Sequence, residues 1–148
     1  MIKKQKTILS DVVFSGIGLH TGQESTIKLK PAPVNTGIEF IRVDLEKSVK
    51  IKAILDNVID TVRGTNLGID GVKIYTVEHL LSAIYALEID NLYIEINNVE
   101  PPILDGSSRD FIDGILNVGL KELEKNKKYI KILKPISFYD DESDIKLE

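Results

Sequence analysis

The tetrapeptide Thr76-Val77-Glu78-His79 contains the two residues best suited to chemistry. Apolar residues follow it at helical spacing, so we expect Glu78 and His79 in the first turn of a helix. Adjacent helical residues point about 100° apart, so both side chains can flank one small volume. A helix N-terminus disfavours imidazolium and keeps His79 able to bind a metal ion. Ionised Glu78, next to a water on that metal, would then act as a general base in hydrolysis.

The same two residues also fit an interpretation without chemistry. Glutamate is common in first helical turns because its negative charge is favourable there. A lone histidine is often structural. The dipeptide alone therefore leaves open both a metal-dependent hydrolase and an ordinary helix N-terminus.

Three polar, glycine-containing segments could border such a site. The segment GIGLHTG at 16–22 contains His20, and its glycines allow a backbone to approach a ligand closely. It matches neither a dinucleotide-binding fingerprint nor a phosphate-binding loop, and a tight turn between strands explains it equally well. Residues 61–68 are either a substrate-facing loop or an ordinary turn. For Asp105 we favour an Asx turn before a helix over a place at the site.

Two amphipathic segments predict the helices that would position these residues. We expect the first to begin at the N-cap Thr76 and to bury an apolar stripe: Val77, Leu80, Leu81, Ile84 and Leu87. We expect the second to begin with a capping box formed by Ser107 and Asp110 and to end at the C-cap Gly119. Its buried face would comprise Phe111, Ile112, Ile115 and Leu116.

Segments with alternating or β-branched residues predict strands. They lie at 7–14, 25–30, 38–43, 49–55, 73–75 and 92–97, and Pro31 should end the second. Together with the helices, they predict an α+β fold in which a mixed or antiparallel sheet packs on two helices.

The C-terminal part of the chain predicts a change of domain. Residues 121–128 are highly charged and are typical of a linker or a solvated helical tail. Apolar residues from Ile130 to Phe138 suggest a new strand, 140–144 a turn, and 145–147 a returning strand. We therefore expect a first domain at 1–124 and, at 125–148, a linker and the incomplete hairpin of a second domain. Exposed Ile136 and Phe138 could drive dimerisation through strand addition.

Composition restricts the class of protein. The chain has 148 residues, 43% of them hydrophobic, which is typical of one globular domain. A net charge of −4 argues against binding nucleic acid. With no cysteine, disulfides, thiolate metal sites and a cysteine nucleophile are excluded, and a cytoplasmic location is compatible. We find neither a signal peptide nor a membrane span.

Four segments together resemble one enzyme family. They are GIGLHTG at 16–22, PAPVNTGIEFIRVD at 31–44, TVEHLLSAIYAL at 76–87 and IDNLYIEINNVEPPILDGS at 89–107. In this order and at this spacing, followed by a helix that begins with phenylalanine, they resemble the zinc-dependent UDP-3-O-acyl-N-acetylglucosamine deacetylases of lipid A biosynthesis. The resemblance extends over nearly the whole chain.

The resemblance implies two similar α+β domains with a Zn²⁺ site between them. It also implies hydrolysis of the acetamide of a UDP-linked, 3-O-acylated N-acetylglucosamine. His79 matches the zinc ligand of the first domain and Glu78 the general base, while His20 and Thr65 match positions at the substrate. The remaining zinc ligands and the general acid belong to the second domain, so we expect residues 1–148 alone to be inactive.

A non-catalytic α+β binding or interaction module is the alternative function. In that case the motif residues would serve folding alone. The downstream coding sequence distinguishes the two, because a His-x-x-x-Asp motif about one domain later would favour the enzyme. The same reading would reveal a longer fusion with another lipid-pathway enzyme.

Overall fold

The computed structural model describes residues 3–148. Within them it contains twelve β-strands and two α-helices. In chain order these are β1 (Lys4–Ile8), β2 (Val12–Ile17), β3 (Glu24–Pro31), β4 (Ile38–Arg42), β5 (Val49–Lys52), β6 (Val58–Asp60), β7 (Asn66–Ile69), β8 (Val72–Ile74), α1 (Glu78–Ala86), β9 (Leu92–Ile96), α2 (Arg109–Val118), β10 (Leu120–Asn126), β11 (Phe138–Asp140) and β12 (Ile145–Leu147). Neither helix in this described part is long enough to cross a membrane.

The main sheet has five strands in the order β2-β3-β9-β4-β5. β9 lies at its centre, antiparallel to β3 and parallel to β4. The alternation predicted for β9 is confirmed, because Leu92, Ile94 and Ile96 are fully buried and the residues between them are not. In register, Ile27 of β3 lies opposite Ile96, so the same face of both strands is apolar.

Both helices share one hydrophobic core with this sheet, which confirms the α+β expectation. The helix residues buried in that core are Leu80, Ala83 and Ile84 of α1 and Phe111 and Ile115 of α2. Phe14 of β2 meets the Phe111 ring edge-on, with the ring centroids 5.1 Å apart, a favourable aromatic geometry. Leu116 was predicted to be buried but is 52% exposed, because it lies beyond the edge of the apolar stripe.

The predicted helix N-termini are wrong in detail. Thr76 does not cap α1: its backbone is left-handed, with φ of 53°, and Val77 occupies the N-cap position without a side-chain bond. Ser108, rather than Ser107, is the N-cap of α2, again without a side-chain cap. The Asx turn is confirmed, since the Ser107 amide donates to Asp105 Oδ1 at 2.8 Å. Gly119, with φ of 84°, ends α2 as predicted.

The predicted strand at 7–14 is in fact two strands. β1 pairs with β10 and β2 pairs with β3, so the chain bends between them and enters a different sheet. The predicted strand at 49–55 ends at Lys52, and a 3₁₀ turn at Leu55–Asn57 follows. The segment at 61–68, which was predicted as a loop or turn, contributes β7 to a three-stranded sheet, β6-β7-β8.

The charged segment at 121–128 is neither a linker nor a helical tail. Most of it forms β10, which pairs antiparallel with β1 from Ile8 opposite Leu120 to Lys4 opposite Asn126. Strand pairing uses backbone groups, so a solvated strand tolerates charged side chains on its exposed faces. Lys127 Nζ then lies 2.8 Å from Asp90 Oδ2 and ties the end of β10 to the loop after α1. A domain boundary near 124 stays a prediction.

The hairpin at the C-terminal end is confirmed. β11 and β12 pair with Phe138 opposite Leu147, around the predicted turn. The predicted strand does not begin at Ile130, however, because residues 127–137 contain no strand. Ile130 is 99% exposed and has no apolar surface to cover it. Dimerisation through this hairpin stays a prediction.

Candidate functional site

The first turn of α1 holds Glu78 against the loop at 63–65. Glu78 Oε2 accepts a hydrogen bond from the Thr65 amide at 2.9 Å. The Thr65 carbonyl in turn accepts one from the Val77 amide at 3.2 Å. Through its carbonyl, Thr65 therefore binds one of the free N–H groups at the start of the helix. Through its amide, it fixes the Glu78 carboxylate. Glu78 is half-buried, so it is oriented by the protein while staying accessible to solvent.

His79 lies in the same turn and is also half-buried, outside the apolar core. Its carbonyl accepts hydrogen bonds from Ser82 Oγ at 2.8 Å and from Ser108 Oγ at 2.9 Å. Ser108 is the N-cap residue of α2, so this contact fixes the first turn of α1 against the start of the other helix. Because the backbone is held in this way, the direction in which the His79 side chain leaves the helix is restricted.

His20 reaches the same region from the loop after β2. Its Nε2 lies 3.0 Å from the Arg63 carbonyl oxygen. A carbonyl can only accept, so in this contact Nε2 carries the proton. Arg63 is two residues before Thr65, so the segment 63–65 contacts His20 at one end and Glu78 at the other. His20 and Glu78 thus both contact the loop that contains Thr65.

A cleft of about 360 Å³ opens beside this loop. It is lined by His20, Val62, Arg63, Asn66 and Tyr75. Asn66 also fixes the chain just before α1, because its Oδ1 accepts from the Thr76 amide at 3.2 Å. The cleft thus lies beside the loop at 63–65, and its lining includes His20 but neither Glu78 nor His79.

Glu100 is a residue that the sequence analysis missed. It is only 1% exposed. Its carboxylate accepts hydrogen bonds from the amides of His20 and Thr21 and from the hydroxyls of Thr21 and Thr76. In the sequence it is one of many glutamates, and nothing around it, apart from the two prolines that follow, indicates burial.

These contacts decide the charge of Glu100. Burial raises the pKa of its carboxyl, but the hydrogen bonds from Thr76, Thr21 and His20 together outweigh that effect. The pKa therefore lies below its ordinary value, and the group is ionised at neutral pH. A negative charge consequently lies between the His20 loop and the residue that precedes α1.

His79 is the candidate metal ligand at the start of α1. Among residues 3–148, no group of three or more His, Asp or Glu side chains lies close enough together to hold a metal ion. A catalytic zinc site takes three protein ligands. The half-buried imidazole of His79 next to the oriented carboxylate of Glu78 fits one ligand and one base of such a site.

The comparisons with known proteins agree on one family. The sequence model described as "LpxC: UDP-3-O-acyl N-acetylglycosamine deacetylase" matches residues 5–148. The bifunctional enzyme LpxC/FabZ of Chlorobaculum tepidum is 46% identical over 98% of this chain and 31% of its own length. The UDP-3-O-acyl-N-acetylglucosamine deacetylase of Geotalea uraniireducens is 43% identical over 92% of this chain and 44% of its own length. The UDP-3-O-acyl-N-acetylglucosamine deacetylase of Legionella pneumophila (strain Corby) is 50% identical over 90% of this chain and 44% of its own length. The chain thus spans less than half the length of these relatives.

Proposed function

This chain belongs to the LpxC family of UDP-3-O-acyl N-acetylglycosamine deacetylases, and we propose that it is the N-terminal part of an enzyme that deacetylates UDP-3-O-acyl-N-acetylglucosamine for lipid A synthesis. The names of the relatives supply the substrate. One structural observation carries the proposal: the Thr65 amide holds the Glu78 carboxylate at 2.9 Å, in the helical turn that also contains His79.

The reaction assigns a separate task to each of these residues. Water adds to the acetamide carbonyl carbon, the C–N bond breaks, and acetate and the free amine of the sugar leave. Glu78 takes the proton from the attacking water, because its carboxylate is oriented by the Thr65 amide and accessible to solvent. His79 is one ligand of Zn²⁺, which when bound polarises the acetamide carbonyl. The other ligands and the acid that protonates the amine come from residues beyond 148.

Substrate binding is the third task. His20 lines the cleft, and the Arg63 carbonyl holds its ring there through Nε2. Thr65 orients the base and belongs to the loop beside the cleft, where the substrate would pass. We assign both residues to substrate binding. A cytoplasmic location is part of the proposal, and the cysteine-free composition is compatible with it.

Acetate release tests the proposed function directly. The full-length protein should release acetate from UDP-3-O-acyl-N-acetylglucosamine, and a zinc chelator should abolish the release. Adding back Zn²⁺ should restore it. If the metal-loaded, folded protein released no acetate, the non-catalytic module would be the better interpretation.

Gly64→Ala tests whether the position of Glu78 matters. A Cβ at residue 64 would lie 3.2 Å from Glu78 Oε1, so the carboxylate must shift by a few tenths of an ångström. We expect kcat to fall by about three- to tenfold, since small displacements of a catalytic group are costly. Stability should hold or rise slightly, because alanine restricts the unfolded chain. Steady-state kinetics and thermal unfolding measure both.

Thr61→Ala in the same loop is the matched control, because Thr61 is exposed and the hydrogen bond to Glu78 comes from Thr65 instead. It should leave kcat unchanged. Equal kcat values for Gly64→Ala and the wild type would contradict the assigned geometry of the base.

A further inference from the structure

Glu100 joins two parts of the site that are far apart in sequence. Its Oε2 accepts from the Thr21 amide at 2.9 Å and from Thr21 Oγ1 at 2.8 Å, and its oxygens lie 3.1 Å from the His20 amide. Its Oε1 accepts from Thr76 Oγ1 at 2.7 Å. One buried carboxylate thus binds both the loop that carries His20 and the residue that precedes α1.

The backbone around Glu100 is shaped to this contact. A Cβ on Gly18 would lie 2.5 Å from Glu100 Oε2, so a larger residue there would displace the Glu100 carboxylate from the loop. Thr76 has φ of 53°, a conformation that is costly for a β-branched residue. Asn66 holds its amide and Glu100 holds its hydroxyl, and these two contacts sustain the strained turn that leads into Glu78 and His79.

Burying a carboxylate costs free energy, because the charge loses its contact with water. Apolar residues of similar volume often stabilise a protein as well as, or better than, a buried charge. The charge does fix the positions of its hydrogen-bond donors, because hydrogen bonds to an ionised group are short and depend on geometry. Its four donors come from two segments about 55 residues apart in sequence, so a change in Glu100 would alter their separation.

We propose that Glu100 is a positioning residue that sets the His20 loop at a fixed distance from the Glu78-His79 turn. It touches neither substrate nor metal and acts through Thr76 and Thr21. The catalytic consequence rests on the proposed deacetylase function. The structural consequence, a rigid connection between residues 18–22 and 76–79, does not depend on it.

Glu100→Gln in the full-length, zinc-loaded protein is the test. The glutamine amide has the shape of the carboxylate, but its NH₂ group is a hydrogen-bond donor and would face N–H and O–H groups that also donate. We expect kcat to fall by about 10- to 100-fold, the effect of displacing reactive groups by roughly 1 Å. KM should rise as well, because the displaced loop carries His20. Amide hydrogen exchange should rise by about tenfold or more within 18–22 and 76–79, and stay unchanged in β9 and α2.

Two controls separate positioning from general stability. Glu95→Gln removes a surface carboxylate that is paired with Lys30 and should change neither readout. Ile51→Val or Ile51→Ala shortens a buried side chain of β5, and the variant whose Tm matches that of Glu100→Gln should keep its kcat at a temperature where both are folded. If Glu100→Gln does not fold, Thr76→Val replaces it, since it deletes one donor without a new backbone restriction.

Each outcome either supports or overturns the role of Glu100 as a positioning residue. A fall in kcat that exceeds that of the Tm-matched Ile51 variant, with exchange confined to the two segments, supports the proposal. Wild-type kcat in a folded variant, or a loss equal to that of the Ile51 variant, overturns it. If the wild-type protein releases no acetate, the proposed function fails, and hydrogen exchange alone still decides whether Glu100 connects the two segments.

Discussion

Glu78→Gln should lower kcat of the full-length protein by about 10²- to 10⁴-fold and leave its zinc content unchanged. General-base catalysis contributes a factor of this size. The glutamine side chain has the shape of glutamate, and its oxygen can still accept from the Thr65 amide. The loss should therefore reflect the missing proton acceptor rather than a shifted helix. Steady-state kinetics and elemental analysis on the same preparation measure the two quantities.

Asp110→Asn provides the matched control. Asp110 is an exposed acid in the first turn of α2, so its substitution removes the same favourable charge at a helix N-terminus without touching the site. It should keep full activity. A Glu78→Gln protein that turns over at close to the wild-type rate would remove Glu78 from the role of base.

His79→Ala should weaken zinc binding by on the order of 10³-fold, and activity should fall with metal occupancy. Substituting a residue that only hydrogen-bonds to a metal ligand already lowers metal affinity by about 10- to 100-fold, so the loss of a ligand itself should lower it more. The fold should persist, because the Ser82 and Ser108 hydroxyls bind the His79 carbonyl, which alanine retains. Competition with a chelator measures the affinity.

His20→Ala is the comparison for metal binding. His20 is assigned to the substrate, so its loss should raise KM or lower kcat while the zinc content stays at the wild-type level. A loss of zinc in His79→Ala and wild-type zinc content in His20→Ala would separate the tasks of the two histidines. Equal zinc affinity in His79→Ala and the wild type would remove His79 from the ligand set.

Periodicity predicted the elements that are built from local contacts. The apolar stripe of α1 and the alternation of β9 both gave elements close to those observed, because burial on one face imposes a period on the sequence. The helix starts were predicted less well. Thr76 has the side chain of an N-cap, but its hydroxyl donates to Glu100 instead, a partner 24 residues away. A local pattern cannot reveal such a competitor.

The pairing of β1 with β10 shows the same limit. β10 looks like a charged linker, yet it pairs with β1, whose residues lie more than 110 positions earlier. Backbone hydrogen bonds carry that pairing, and they leave little trace in the side chains of a solvated strand. The break that divides 7–14 into β1 and β2 follows from the same pairing, since each half joins a different sheet.

The sequence by itself determined that Glu78 and His79 are adjacent in the first turn of an amphipathic helix, since neighbouring positions and a helical period are local properties. Only the tertiary structure decided that the segment 63–65 lies between His20 and Glu78 and that buried Glu100 joins the two sides. Those contacts connect residues that are 13 to 80 positions apart. Their geometry depends on how the whole sheet places its loops, which no short stretch of sequence encodes.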